Sequence, residues 1–243
     1  MTTLTLPPPS LLPPPLSSGF AEPTPCSLPF YGRSLAEYTA SFDLDLTALR
    51  HQAVLDVGAG PSSFAVEANR RGVDVVAVDP LYGCPMTTLA TYVQLDYARV
   101  AVEGTRRLSG APLARREALE QDRRTAAQRF LADYESGFLH NRYLGAALPH
   151  LPFLDGAFDL VLCGHVLFSP PAPLDPERLV AACVELVRVS TGSVRVAPLT
   201  GLTPALADHL TRALAARGIV LECRPGQGGR TARCSLGLLR RLR

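Results

Sequence analysis

Four residues in the first third of the chain have the types and spacing of a nucleoside-binding site. Gly58 and Gly60 form a Gly-x-Gly turn, and glycine lets a ligand approach the backbone closely. Asp56 comes two residues before the turn, where its carboxylate would repel a pyrophosphate and attract a cation. Asp79 follows Gly60 by 19 residues, where a carboxylate can accept hydrogen bonds from both hydroxyls of a ribose. The pattern predicts a ligand with a ribose and a positive group but no pyrophosphate.

The turn departs from the fingerprint of dinucleotide-binding proteins. Ser63 stands where that fingerprint has its third glycine, and Pro61 and Ser62 fill the positions between. The missing glycine and the acidic Asp56 both disfavour a nicotinamide-dependent oxidoreductase. That class of enzyme is the weaker interpretation of the turn.

A strand, a helix and a second strand are predicted to position these residues. Residues 53–57 form a short apolar strand, and residues 64–71 form a helix that Gly72 stops. Residues 73–78 form the next strand, which ends at Asp79. Ligands of parallel sheets bind outside the carboxyl ends of the strands. We therefore expect Asp56, the glycine turn and Asp79 to meet at one edge of a sheet.

The rest of the chain alternates between helical and strand patterns. Helices are predicted over 87–108, 113–137, 176–189 and 204–217, and strands over 143–148, 158–163, 194–198, 219–224 and 233–239. A glycine-rich link at 226–229 is too short for a crossover helix, so the last two strands must be antiparallel. The expected fold is an α/β, doubly wound, Rossmann-like sheet of seven strands. It is mostly parallel with one antiparallel strand, and it has a helical insertion after the second strand.

Composition excludes several classes of function. All 24 basic residues are arginine, which removes the lysine of P-loop enzymes, the lysine of Schiff-base enzymes and the strand lysine of kinases. The net charge of +2 gives no overall attraction to nucleic acid. The six cysteines include no Cys-x-x-Cys pair, so we expect reduced structural thiols and no metal site. No apolar run reaches the roughly 18 residues of a membrane helix, and the N-terminus has no signal-peptide pattern, so we expect a cytoplasmic protein without a membrane partner.

Three segments in order resemble the successive motifs of class I S-adenosylmethionine-dependent methyltransferases. They are Val54–Gly60, Val75–Asp79 and Leu151–Val161, and the resemblance extends over about 53–240. Tyr31–Tyr38 resembles the N-terminal segment of an uncharacterised bacterial group in that family. The resemblance implies that S-adenosylmethionine is the cofactor. It also implies that Asp56, Gly58 and Gly60 surround its methionine part and that Asp79 holds its ribose.

One position departs from the family. Many members have an acidic residue after the third strand that meets the adenine amino group, whereas this chain has Ala146, Ala147 and Leu148 there. Backbone groups of Ala147 and Leu148 are expected to contact the adenine instead.

The methyl acceptor is expected to bind beyond the fourth strand, at Cys163–Phe168. Tyr31, Tyr38, Tyr82 and Phe168 could line a partly apolar pocket there. His165 could act as a general base with a pKa near the working pH, or make a polar contact beneath the cofactor. Ser169–Pro171 resembles the box of DNA amino-methyltransferases, but Ala172 replaces the aromatic residue that would stack on a flipped base.

The insertion carries many arginines, and their role is open. They alternate with acidic residues at helical spacing, which favours a solvated helix face over a lid that contacts RNA. The arginines are Arg99, Arg106, Arg107, Arg115, Arg116, Arg123, Arg124 and Arg129.

We expect two parts in the chain. Residues 1–30 hold nine prolines and form a tail, and residues 31–243 form one methyltransferase domain. Residues 31–50 and 82–141 of that domain are expected to form a helical cap over the acceptor. The expected activity is in-line methyl transfer to a small-molecule acceptor. The alternatives are a nucleic-acid or protein methyltransferase and a non-catalytic module that binds the cofactor.

Overall fold

The computed structural model describes residues 30–107, 113–168, 175–225 and 234–241. Four features of the sequence lie outside these ranges: the proline-rich segment, Cys26, the Ser169–Pro171 box and the glycine-rich link at 226–229. No helix among the described residues combines the length and the hydropathy needed to cross a membrane.

A sheet of seven strands organises the chain. Its spatial order is β3-β2-β1-β4-β5-β7-β6, and β7 runs antiparallel to both of its neighbours while the other pairs are parallel. The predicted fold class is therefore confirmed. The strands are β1 (Ala53–Val57), β2 (Asp74–Asp79), β3 (Tyr143–Gly145), β4 (Phe158–Gly164), β5 (Ser190–Ala197), β6 (Ile219–Pro225) and β7 (Cys234–Arg241).

In the described ranges, six helices accompany the sheet: α1 (Leu35–Phe42), α2 (Phe64–Asn69), α3 (Met86–Arg107), α4 (Leu113–Leu139), α5 (Pro176–Arg188) and α6 (Pro204–Ala215). Three of them begin at a side chain that accepts a hydrogen bond from the first turn. Ser34 Oγ accepts from Glu37 N at 3.2 Å, Asp175 Oδ1 from Glu177 N at 3.1 Å and Thr203 Oγ1 from Leu206 N at 3.3 Å. These caps satisfy backbone donors that a helix start leaves without partners.

The third strand is shorter than its sequence pattern predicts. It ends at Gly145, because the chain turns there and Ala147 pairs with His150 in an isolated bridge. A side chain at position 145 would lie 2.4 Å from the backbone oxygen of Tyr82, so only glycine fits against that segment. The turn brings the residues after β3 back toward the end of β2.

Two apolar clusters lie on the two faces of the sheet, because successive side chains of a strand point to opposite sides. In β1, Val54 belongs to the first cluster and Leu55 to the second. The first cluster includes residues of α1 to α4, among them Phe64 and Phe130, and the second includes residues of α5 and α6. Both faces of the central strands are thus buried, as in other parallel sheets.

The insertion between β2 and β3 consists of α3 and α4. These two helices contact each other, and α4 also contacts α2 and β3. Four rings of the first cluster meet here: those of Tyr82, Phe130, Tyr134 and Tyr143, with centroids 5.3–5.8 Å apart. The insertion is therefore packed on the edge of the sheet that also carries Asp79.

Candidate active site

The glycine turn after β1 is held against β2. The backbone N–H groups of Gly58 and Ala59 both donate to the carbonyl oxygen of Val78, at 2.9 and 3.1 Å. Gly58 and Gly60 have φ angles of +70° and +53°, in the left-handed region that favours glycine. A Cβ on Gly58 would lie 2.1 Å from Val166 Cγ2, so a side chain does not fit at this position. The turn therefore has a fixed backbone at the carboxyl end of β1, and the Val166 side chain packs closely against it.

Asp79 is the better satisfied of two buried carboxylates at this edge. Its Oδ2 accepts from Gly60 N and its Oδ1 from Leu81 N, each at 3.0 Å. Burial raises the pKa of Asp79 to about 6, although these two backbone donors act in the opposite direction. Each carboxylate oxygen can accept more than one hydrogen bond. Asp79 is thus fixed in orientation and keeps acceptor capacity for a ribose.

Asp56 is fully buried at the end of β1, beside Asp79. Neither of its carboxylate oxygens has a well-formed hydrogen bond within the described residues, although the Tyr38 hydroxyl lies near enough to act on it as a donor. Burial, together with the charge of Asp79, raises the pKa of Asp56 to about 7, and the nearby Tyr38 hydroxyl partly opposes this rise. A buried carboxylate without a partner is costly unless it is protonated or meets a cation. The carboxylates of Asp56 and Asp79 together suit a positively charged ligand group.

Tyr82 connects the glycine turn to the insertion. The sequence places it in the acceptor pocket, whereas in the structure its buried hydroxyl donates to the Gly60 carbonyl oxygen at 2.6 Å. Gly60 N in turn donates to Asp79. Tyr82 therefore holds Gly60, the residue whose N–H donates to Asp79. Sequence reasoning missed this role, because no local pattern links a tyrosine to a backbone carbonyl 22 residues away.

His165 follows β4 in a left-handed conformation, with φ of +59°. Its backbone N–H donates to the Ala197 carbonyl oxygen at 2.8 Å. Burial, together with the positive charges of Arg33 and Arg123, lowers the pKa of the imidazole to about 3. The imidazole is therefore neutral near pH 7 and only weakly basic. This environment disfavours a general base with a pKa near the working pH and favours the alternative of a polar contact.

A charged cluster lies close to His165, and no pattern along the chain predicts it. Arg123 of α4 binds Glu37 of α1 through two donor atoms, with N–O distances of 2.6–3.0 Å. Arg33 also approaches Glu37, at 3.6 Å. The Arg123 guanidinium lies 5.3 Å from the centroid of the Tyr31 ring. Arg123 and Glu37 are 86 residues apart, so only the folded chain brings them together.

The four residues predicted to line the acceptor pocket lie in two different apolar clusters. Tyr31, Tyr38 and Tyr82 belong to the first apolar cluster, whereas Phe168 belongs to the second, on the other face of the sheet. The Phe168 carbonyl oxygen accepts from Gly201 N at 2.8 Å, which fixes this segment beside the loop after β5. Residues 165–168 bend after β4 and no longer follow the alternation of a strand, and a pocket lined by all four residues stays a prediction.

The backbone predicted to meet adenine lies close to Asp79. Ala146 N donates to the backbone oxygen of Asp79 at 3.3 Å, and the Ala147 carbonyl oxygen accepts from His150 N at 3.2 Å. The Leu148 side chain packs against the second apolar cluster. The adenine contact of Ala147 and Leu148 stays a prediction; both residues follow directly after Ala146, whose N–H donates to the backbone of Asp79.

Several arginines of the insertion are already paired within the chain. Arg124 binds Glu120 at 2.7 Å and lies 4.3 Å from the centroid of the Tyr97 ring, and Arg129 binds Glu67 at 3.0 Å. These pairs agree with a structured, solvated face. The side chains of residues 100–113, which include Arg106 and Arg107, lie outside the described part.

A surface groove of about 420 Å³ lies between α1, α2 and α4. It is separate from the predicted cofactor residues, none of which lines it. Its lining residues are Ser34, Leu35, Ala36, Thr39, Leu46, Glu67, Arg71, Asp122 and Arg129.

Comparison with known proteins gives the following relatives. No family model matches the chain. An uncharacterised protein of Methanocaldococcus jannaschii, MJ0045, is 25% identical over 175 residues, which are 70% of this chain and 77% of that protein. The sugar N-methyltransferase KedS8 of Streptoalloteichus sp. is 14% identical, with a TM-score of 0.47 and coverage of 85% of this chain and 88% of that one. Magnesium protoporphyrin IX methyltransferase of Synechocystis, with bound S-adenosylmethionine, is 16% identical, with a TM-score of 0.43 and coverage of 80% and 74%.

The chain's own sheet agrees with the resemblance that its motifs carry. The reversed β7 between β5 and β6 is the antiparallel final pair expected of class I methyltransferases. The first two motifs, Val54–Gly60 and Val75–Asp79, meet at the carboxyl ends of the neighbouring strands β1 and β2. The resemblance to class I methyltransferases therefore holds at the level of the fold.

Proposed function

We propose that this chain is a class I methyltransferase that uses S-adenosylmethionine. The observation that carries the proposal is Asp56, a fully buried carboxylate without a well-formed hydrogen bond in the described residues, next to the glycine turn and Asp79. A nucleoside with a positive group satisfies both carboxylates, because the cation meets Asp56 and the ribose hydroxyls meet Asp79. A dinucleotide would bring a pyrophosphate next to two acidic side chains.

The chain's residues supply binding and alignment in this proposal. S-adenosylmethionine supplies a methyl group on a sulfonium, which a nucleophile can displace in line. Asp56, Gly58 and Gly60 hold the methionine part, Asp79 holds the ribose, and the backbone at Ala147 and Leu148 meets the adenine. Tyr82 orients Gly60 through its hydroxyl. Alignment alone can account for a large part of the acceleration of such a displacement, so no covalent protein group is required.

Access to the turn requires movement of neighbouring side chains. Val166 lies against Gly58, and Phe30 Cδ2 lies 3.8 Å from where a Cβ of Gly60 would stand. We propose that residues 31–50 and 82–141 act as a cap within one domain, 31–243, and that this cap adjusts as the ligand enters. An enclosed site of this kind favours a small-molecule acceptor over a polymer.

Methyl transfer itself tests this proposal. The purified chain is incubated with methyl-labelled S-adenosylmethionine and with RNA, DNA, protein and small-metabolite fractions of a bacterial extract. We expect label in the small-metabolite fraction, and much less of it with the Asp56→Asn variant. Asp74→Asn is the matched control, because Asp74 is exposed at the opposite end of β2.

Each other result selects a different function. Salt-sensitive label in RNA or DNA would support a nucleic-acid methyltransferase, and label in protein would support a protein methyltransferase. Binding of the cofactor without label in any fraction would support the non-catalytic module.

A further inference from the structure

Two guanidinium groups share one carboxylate on the acceptor side of the site. Arg123 occupies Glu37 through three contacts of 2.6–3.0 Å, whereas Arg33 reaches the same carboxylate only at 3.6 Å. Within the described residues, no hydrogen bond from the Arg33 guanidinium is present at normal distance. Among the groups that the structure describes here, one positive charge therefore has no matched negative charge.

Arg33 is positioned beside the glycine turn. Its carbonyl oxygen accepts from Ser63 N at 3.0 Å, immediately before α2 begins. Its side chain is 21% exposed, and Glu37 is the acidic group that acts on it. Burial and the neighbouring Arg123 lower the pKa of Arg33. A largely desolvated guanidinium of this kind gains most from a planar anion that can accept two parallel hydrogen bonds.

The surplus charge faces the end of β4. Arg33 and Arg123 are the charged groups that lower the pKa of His165, so both lie near that imidazole. Because His165 is neutral, it adds no charge of its own to the cluster. Different groups act on Asp56, namely Tyr38 and Asp79. The anion-binding part of the site therefore lies on the β4 side and the cation-binding part on the β1 side.

We propose that the methyl acceptor is a small organic acid whose carboxylate or phosphate group pairs with Arg33. This inference rests on the proposed methyltransferase function. The anionic group binds the acceptor but does not take the methyl group, because pairing with a guanidinium makes its oxygens poorer nucleophiles. The methyl carbon leaves the sulfonium sulfur, which keeps the electron pair of the broken bond and becomes a neutral thioether. A different nucleophilic atom of the acid forms the new bond to carbon, and any proton on that atom leaves to solvent.

The anionic group that pairs with Arg33 must belong to a small molecule, because Arg33 is enclosed. Arg33 and Arg123 are each about one-fifth exposed, at 21% and 22%. Arg33 lies within the segment Tyr31–Tyr38, between two tyrosines that are less than 10% exposed. A carboxylate or a terminal phosphate on a compact molecule can reach such a group more readily than the backbone of a folded RNA.

The test separates labelled products by charge. Wild-type protein, Arg33→Gln, Arg33→Lys and the exposed control Arg115→Gln are incubated with methyl-labelled cofactor and a small-metabolite extract, and the products are passed over an anion exchanger. We expect the label in retained, acidic products. Label should fall about tenfold or more in Arg33→Gln, as for the loss of a charge-assisted pair. Arg33→Lys should restore part of it, and Arg115→Gln should match wild type.

Parallel binding measurements assign any loss to the correct ligand. Affinities for S-adenosylhomocysteine and for 5′-methylthioadenosine, which lacks the amino-acid part, should be the same in wild type and Arg33→Gln. Weaker binding of S-adenosylhomocysteine alone would place Arg33 in the cofactor site and overturn the inference. Label in neutral or cationic products, label that Arg33→Gln leaves unchanged, or a wild-type chain that binds S-adenosylhomocysteine but labels nothing would also overturn it. Failure to bind S-adenosylhomocysteine at all would instead overturn the proposed function.

Discussion

The ends of β1 and β2 differ from the end of β4 in charge and in how their polar groups are satisfied. The first region, which we call the cofactor side, holds Asp56 and Asp79 around the glycine turn. The second, the acceptor side, holds the neutral His165 and the surplus positive charge of Arg33. Each side lacks a counter-charge that a ligand could supply: a cation on one and an anion on the other. Because the two sides differ in charge, we infer that one site can bind two ligands of opposite charge.

The largest effect on stability is expected at Gly58, where the cofactor side has no space for a side chain. Gly58→Ala places a methyl group 2.1 Å from Val166 Cγ2 and forces alanine to a φ of +70°. We expect the free energy of unfolding to fall by about 3 kcal/mol, from overpacking and backbone strain together. Chemical denaturation measures this loss.

Gly218→Ala is the matched control for that substitution. Gly218 has the same φ of +70°, but nothing lies within 4 Å of its added Cβ. It should lose only about 1 kcal/mol, from backbone strain alone. Equal losses of unfolding free energy at Gly58 and Gly218 would show that Val166 does not restrict the space at the glycine turn.

The pH dependence of stability tests whether Asp56 is a carboxylate without a well-formed hydrogen bond. Because burial raises the pKa of Asp56 to about 7, the folded state holds this proton more tightly than the unfolded state. The resulting stability is complete at acidic pH and is lost as the pH rises through about 7. Asp56 should therefore stabilise the ligand-free chain less at pH 8 than at pH 5, by about 1.4 kcal/mol for each tenfold difference in its proton affinity between the folded and unfolded states.

Asp56→Asn should flatten this pH dependence and match or exceed wild-type stability at pH 8, while it weakens binding of S-adenosylhomocysteine. Asp74→Asn, at an exposed position, should follow the wild-type curve. A difference in stability between wild type and Asp56→Asn that stays constant from pH 5 to pH 8 would contradict the assigned state of Asp56.

A smaller effect is expected at Tyr82. Tyr82→Phe removes the 2.6 Å hydrogen bond to the Gly60 carbonyl oxygen and leaves that buried oxygen without this donor. We expect a loss of about 1–3 kcal/mol in stability and a several-fold weaker affinity for S-adenosylhomocysteine in calorimetric titration. Tyr134→Phe is the control, since Tyr134 bonds Gly83 and Cys84 in the same group of rings. Equal losses of ligand affinity in both variants would mean that the rings, and not the Gly60 contact, support the turn.

The smallest effect is expected on the acceptor side, at His165. With its pKa lowered to about 3, the imidazole does not change charge between pH 6 and pH 8. His165→Gln should therefore leave the shape of the pH–rate profile in this range unchanged, even if the rate itself falls. A wild-type profile with an inflection near pH 6.5 that disappears in the variant would restore the general-base role.

The two sides also differ in how far the sequence could predict them. The cofactor side depends on neighbours along two short strands, and the parallel register of Val57 with Val78 brings Gly60 and Asp79 together as the strand pattern implies. The acceptor side depends on distant segments: Arg123 meets Glu37 across 86 residues. Strand alternation also ends at Gly164, so the face on which Phe168 lies could not be inferred from β4.

The periodicity of apolar residues and the turn residues predicted the helices and strands, except where an apolar run continued beyond the end of a strand. Ala146 and Leu148 extend the apolar pattern of β3, but after Ala146 N donates to the Asp79 carbonyl the chain turns, and Ala147 pairs with His150. This turn, which the apolar pattern does not reveal, ends the strand.

Calorimetric titration of the wild-type chain and of Asp79→Ala tests the central claim most directly. We predict that S-adenosylhomocysteine binds the wild type, that Asp79→Ala weakens this binding about tenfold or more through lost hydrogen bonds to the ribose, and that NAD gives no heat of binding. Binding of NAD by a chain that does not bind S-adenosylhomocysteine would contradict the claim and identify the glycine turn as a dinucleotide site.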